Sequence, residues 1–190
     1  MQQNNKGFSL VEILAMIIIT TAIIFPLLTT LIDSFEINRL MHDRRSAITV
    51  SETTVYAFDK MNFSDLRNQV NDANDITNKY YIDFDVDKCV NLTVNDDETL
   101  CGRIFDSIWN NVNFDKENFR VFIFNYNLTT DQIRILSEDM TDIPKVVRDK
   151  IALIPENLAS NDNLLRIEVY IRYADGELGT TTLSGYLYNE

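Results

Sequence analysis

The hydrophobic pattern divides the chain sharply. From Ile13 to Ile32 there is no charged residue over 20 positions. About 20 apolar residues in helical form span the hydrocarbon core of a bilayer. Extended back to Phe8, the run has one charge, Glu12. Beyond it the apolar residues thin to Ile37, Leu40, Met41, Ala47, Ile48, Val55 and Phe58. These follow the three- and four-residue spacing of an amphipathic helix, and they predict a seam on which a folded domain packs. The other side carries Arg39, Asp43, Arg44, Arg45, Glu52 and Asp59. One helix is therefore expected from Phe8 to about Met61. Pro26 lies inside it and leaves the carbonyl of Ala22 without its helical donor. A kink follows, with Thr20, Thr21, Thr29 and Thr30 nearby to help.

The remainder reads as a mixed domain. Asn62 to Lys79 is polar and predicts a connecting loop, with a turn of helix near Phe63 to Val70. Tyr80 to Asp87 alternates apolar and acidic residues, the period of a half-exposed strand. Cys89 to Val94 predicts a second strand, and Asn95 to Glu98 a turn. Ile104, Phe105, Ile108, Trp109 and Val112 have helical spacing. Phe119 to Tyr126 is the most strand-like run, with Gln132 to Leu136 as its expected partner strand. Pro144 to Leu153 predicts a helix capped by Asp142, with Pro144 in its first turn and Pro155 after it. Leu164 to Tyr173 and Thr180 to Tyr188 form a terminal hairpin around a Gly-containing loop. The fold class expected is α+β: a long N-terminal helix, its first half in a membrane, packed on a small antiparallel β-sheet domain.

Charge and rare residues narrow the chemistry. The 190 residues carry a formal charge of -12. Such a chain is a poor partner for nucleic acid, whose phosphates are held by Lys and Arg. A single histidine, His42, leaves no His-rich metal site and no Ser/His/Asp set. No Gly-rich phosphate loop is visible, so no enzyme activity and no cofactor are expected. Cys89 and Cys101 enclose 11 residues, and in an exported domain this spacing suggests a disulfide; two buried thiols are the other reading. No metal site is assigned. Asp83, Asp85 and Asp87, with Asp96, Asp97 and Glu98, could gather oxygen ligands for calcium, but a solvated acidic face is the default.

The segment Lys6-Gly7-Phe8-Ser9-Leu10-Val11-Glu12, followed by the apolar helix, resembles the prepilin motif of type IV pilins and of the pseudopilins of type II secretion and competence machines. That resemblance implies a leader, residues 1–7, removed by a prepilin peptidase between Gly7 and Phe8. Phe8 would become the N-methylated first residue. Residues 8–32 would be the membrane half of the helix, 33–61 its amphipathic half, and 62–190 a pilin-like domain. Glu12 would be the acid that pairs with the Phe8 amine of a neighbouring subunit, and the resemblance implies that the helix near Pro26 could stretch in the filament. The implied partners are the peptidase, major and minor pilins or pseudopilins, an inner-membrane assembly platform, and lipid before assembly. The implied location is the cytoplasmic membrane, with an exported domain, and then a filament. The terminal hairpin resembles that of minor subunits, which favours a minor pilin or pseudopilin. A membrane-anchored binding module, such as an adhesin or pilus-tip receptor, is the alternative.

Overall fold

The computed structural model describes residues 9–77, 79–85, 118–154, 163–175 and 179–189. Helix α1 runs without interruption from Leu10 to Asp59, with Pro26 inside it. Helix α2 spans Phe63–Thr77. Strand β1 is Tyr81–Phe84 and β2 is Phe119–Asn125. Helix α3, Thr130–Arg134, continues into a π-helical turn, Ile135–Asp139. Helix α4 is Lys145–Ala152, and strands β3 and β4 are Leu164–Arg172 and Thr180–Tyr188. The class is α+β, a long N-terminal helix followed by a four-stranded antiparallel sheet of order β1-β2-β3-β4.

The chain forms two compact units, residues 1–42 and 43–190. In the first, the large side chains of α1 are exposed. The second contains the cores. Side chains alternate across a strand, and this sheet buries both faces. On one face Val121, Ile123, Leu165, Ile167, Val169 and Ile171 meet Ala47, Val50 and Phe58 of α1 and Leu66 and Val70 of α2. On the other, Tyr81, Phe122 and Phe124 meet Ile133, Leu136, Ile143, Val147 and Ile151. Burial on both sides explains why β2 reads Phe-Arg-Val-Phe-Ile-Phe rather than alternating strictly. Registers such as Ile123↔Ile167 and Val169↔Leu183 align the apolar sets.

Four expectations are corrected. Gln132 to Leu136 is not a strand. Thr129 accepts from the Gln132 amide, and the Gln132 side chain accepts from the Thr129 amide, a capping box that starts a helix there. Asn62 to Thr77 is not a loop around one turn, because Asn62 Oδ1 accepts from the Ser64 N–H at 3.0 Å and α2 follows for 15 residues. Asp142 does not cap α4. Pro144 occupies that position with no side-chain bond, and Asp142 is engaged elsewhere. Finally, the seam of α1 is Ala47, Val50, Ser51, Thr54 and Phe58. Ile48 is exposed, as are Ile37, Leu40 and Met41. Ser51 and Thr54 enter the core because their hydroxyls donate to the carbonyls of Ala47 and Val50, at 2.9 and 2.8 Å.

The first turn of the long helix as candidate functional site

The start of α1 is built by two short side chains. The Ser9 backbone N–H donates to Glu12 Oε2 at 2.9 Å, and the Glu12 N–H donates to Ser9 Oγ at 3.3 Å. The Ser9 carbonyl accepts from Ile13 at 3.2 Å. This is a Ser-x-x-Glu capping box: two orphan amides of a helix start are satisfied reciprocally. The carboxylate also lies at the positive end of the helix dipole. The sequence reading singled out Glu12 for its charge and missed Ser9, although the spacing of the two was legible.

Gly7 and Phe8 lie outside the described residues, as do Cys89 and Cys101. So do Cys89 to Val94, Asn95 to Glu98, the stretch around Trp109, and Pro155. At Pro26 the threonine hydroxyls go to other carbonyls than that of Ala22. Thr29 and Thr30 both donate to the Pro26 carbonyl, at 2.9 and 2.8 Å, and Thr21 donates to Ile17 at 2.7 Å. The helix carries through the proline with these hydroxyls bonded back to its own backbone.

In the domain, the charged groups face one another. Arg120 holds Asp83 with two bonds, Nη2 to Oδ2 at 2.5 Å and Nε to Oδ1 at 3.3 Å. Its Nη1 donates to the Asp142 carbonyl. The Tyr81 hydroxyl donates to Asp142 Oδ2, and Lys79 stands 3.6 Å from the same carboxylate. Burial opposes the charge of Arg120, but Asp83 outweighs it and raises the guanidinium above its ordinary value. Partial burial likewise works against the Asp142 carboxylate, yet the Tyr81 hydroxyl and Lys79 hold it below the usual range. Burial first, then the Asp142 carboxylate, pushes the Tyr81 phenol far up. Asp83 is thus committed to an arginine, Asp87 lies outside the described residues, and no group of possible metal ligands gathers among the described residues.

A second network is deeper. Glu168 on β3 is fully buried. Arg166 approaches its Oε1 at 2.7 Å, and Ser184 donates to Oε2 at 2.8 Å. Lys150 of α4 stands 3.7 Å from Oε2 and donates to the Thr182 carbonyl at 3.0 Å. The helices that cover that face of the sheet bury Glu168 completely.

Comparison with known proteins gives no match to any family model, any curated protein or any solved structure. Helix α1 is long and apolar enough to cross a membrane.

Proposed function

We propose that this chain is a pilin-like subunit, inserted through the first part of α1, cut between Gly7 and Phe8, and drawn into a filament of the type IV pilus or type II secretion kind. The observation that carries the reading is Glu12: one acid, in the first turn of a helix whose next 20 residues are uncharged and exposed. A carboxylate at membrane depth costs on the order of 3 kcal/mol even on mild scales, so it marks a function by default. The capping box supports the reading physically. It gives the carboxylate a donor while the subunit is alone, with Oε2 bonded to Ser9. A carboxylate has lone pairs to spare on both oxygens, so a neighbour's cationic terminus can be accepted as well. The long apolar helix followed by a small antiparallel sheet is compatible with a pilin-like fold, and the exposed Ile, Leu and Phe side chains of the first unit suit lipid before assembly and other helices after it.

Two measurements test this. Mass spectrometry of the mature protein is expected to find a methylated Phe8 as first residue; an uncut chain in cells that hold the peptidase discards the proposal. The Glu12→Gln variant keeps a capping side chain but loses the charge. It is expected to insert and be cut normally yet fail to pellet with filaments. Removing one partner of a buried pair costs roughly 3–5 kcal/mol, a loss of at least 100-fold. Wild-type pelleting of Glu12→Gln would remove the pairing.

A further inference from the structure

Strand β4 is the last in the sheet order, so one of its edges has no strand beside it among the described residues. The pairing with β3 shows which groups that edge presents. The Asn189 N–H donates to the Asn163 carbonyl at 3.1 Å, and the Tyr173 N–H to the Gly179 carbonyl at 2.7 Å. Bonded pairs alternate along an antiparallel ladder. In this register the odd-numbered residues of β4 therefore bond to β3, and the even-numbered ones turn their N–H and C=O outward. Lys150 agrees with that direction, since its Nζ donates to the Thr182 carbonyl at 3.0 Å. This lysine covers the Thr182 end. The outward backbone groups of Ser184, Tyr186 and Tyr188 are open among the described residues. Natural sheets defend such edges with charge, proline or a bulge. Here Thr-Thr-Thr-Leu-Ser-Gly-Tyr-Leu-Tyr has neither charge nor proline, in a chain that is 24% charged, and its nine residues pair one to one with β3. Tyr186 and Tyr188 are exposed beside the open stretch, at 53% and 52%, and the Tyr126 ring meets Tyr186 edge-on at 5.7 Å.

We infer that the edge from Ser184 to Tyr188 takes up an extended segment of a different protein as an added strand. The inference goes beyond the filament reading and needs from it only a membrane-anchored domain. The commoner, antiparallel pairing with a second copy does not fit. Two identical edges paired in that way have their two-fold axis normal to the sheet. Ala47 and Phe58 both meet the sheet, about 16.5 Å apart along the helix, so this part of α1 lies along it. The two-fold reverses that direction, and the chains then leave Asp43 toward opposite sides, whereas one membrane holds every copy from the same side. The partner is recognised by its chemistry. Its backbone bonds to the outward groups of Ser184, Tyr186 and Tyr188. Apolar, aromatic or β-branched side chains at alternate positions pack beside the two tyrosines. Its charge is basic, because residues 43–190 hold 26 acidic and 15 basic side chains.

The full chain in mild detergent is titrated with the peptide Lys-Thr-Val-Tyr-Val-Thr-Val-Lys, and solvent exchange of its backbone amides is followed by NMR. At about 1 mM peptide the amides of Ser184, Tyr186 and Tyr188 are expected to slow roughly six- to eleven-fold, which is one plus the ratio of peptide concentration to a Kd of about 0.1–0.2 mM. The same peptide fully N-methylated is expected to leave those rates unchanged, since main-chain bonds carry this mode of recognition. Tyr186→Pro removes an outward N–H that the sheet does not use, so an edge strand tolerates it; the slowing at Ser184 and Tyr188 is expected to vanish. Tyr186→Lys keeps every backbone group and is expected to cut the slowing to below about two-fold by placing charge on the edge. Unchanged rates at the three amides with the first peptide overturn the inference, as does equal slowing by the N-methylated peptide or by one with Glu in place of both Lys. A disulfide joining two Tyr186→Cys chains in membranes also overturns it, because a second copy would then hold the edge. None of these outcomes touches the processing at Phe8 or the behaviour of Glu12→Gln, which test the filament reading separately.

Discussion

Single residues show how the domain handles charge. Glu168 is completely buried between the sheet and α4, and Arg166, Lys150 and Ser184 converge on it. Such a group is tolerated because its partners come with it, and taking away one member of the pair leaves the other stranded. Glu168→Ala is expected to destabilise the domain by about 3–5 kcal/mol, read from the urea midpoint by circular dichroism; a change below about 1 kcal/mol would mean that Arg166 and Lys150 find water instead. The Tyr81–Asp142 bond makes a pH prediction. Asp142 is held below its ordinary value, so its contribution is present above the unfolded carboxylate range and is lost as pH falls through the lower folded value. Tyr81 is pushed above its ordinary 10.0, so its contribution is present below pH 10.0 and fades as pH rises beyond it. Tyr81→Phe removes the alkaline dependence and weakens the acid one, since Lys79 still holds Asp142 down. Its stability relative to wild type is expected to improve at the acid and alkaline ends and to be lowest near neutrality, measured as urea midpoints across pH.

At the level of elements, the approach of α1 to the hairpin depends on one missing side chain. A Cβ on Gly185 would lie 2.8 Å from Val55 Cγ1 and 3.1 Å from Ile167 Cγ2. Valine is stiff at χ1 and cannot swing aside. Gly185→Ala is therefore expected to cost roughly 1–3 kcal/mol, and Val55→Ala in the same chain to recover part of it, measured by thermal unfolding of the two variants and their combination. Gly185 reads in the sequence as an unremarkable break in a terminal strand. The strands themselves were legible: β3 alternates apolar and polar residues, and β2 is a short, almost continuous apolar run. Helix α2 was legible only as a turn near Phe63 to Val70, where Phe63, Leu66 and Val70 form a short apolar stripe, and α3 was not legible as a helix. The start of each is announced by a side-chain cap, Asn62 or Thr129 with Gln132. Counting apolar residues turned Gln132 to Leu136 into a strand; the Thr-x-x-Gln spacing from Thr129 to Gln132 specified a helix. The seam of α1 was misplaced for a related cause. Ser51 and Thr54 count as polar in the sequence, yet each satisfies its hydroxyl on its own helix and packs as a small core residue.

For the whole molecule, charge and burial divide at one place in the chain. The first 42 residues hold 3 acidic and 2 basic side chains, whereas residues 43–190 hold 26 acidic and 15 basic. The acidic balance thus belongs to the domain, where it favours solubility and repels phosphate-rich surfaces. Buried side chains of α1 begin at Ala47, and the large apolar side chains of α1 before it are exposed. Among the described residues, neither core includes a residue of the first unit. A chain consisting of residues 43–190 is therefore expected to be soluble without detergent and to unfold cooperatively. Its urea midpoint should agree with that of the full chain in mild detergent to within about 0.5 kcal/mol of stability, since sites that share no contacts act independently. The measurement is circular dichroism on both proteins, with sedimentation velocity to establish that the shorter one is monomeric. An aggregated or non-cooperative fragment would mean that residues before Asp43 complete the fold.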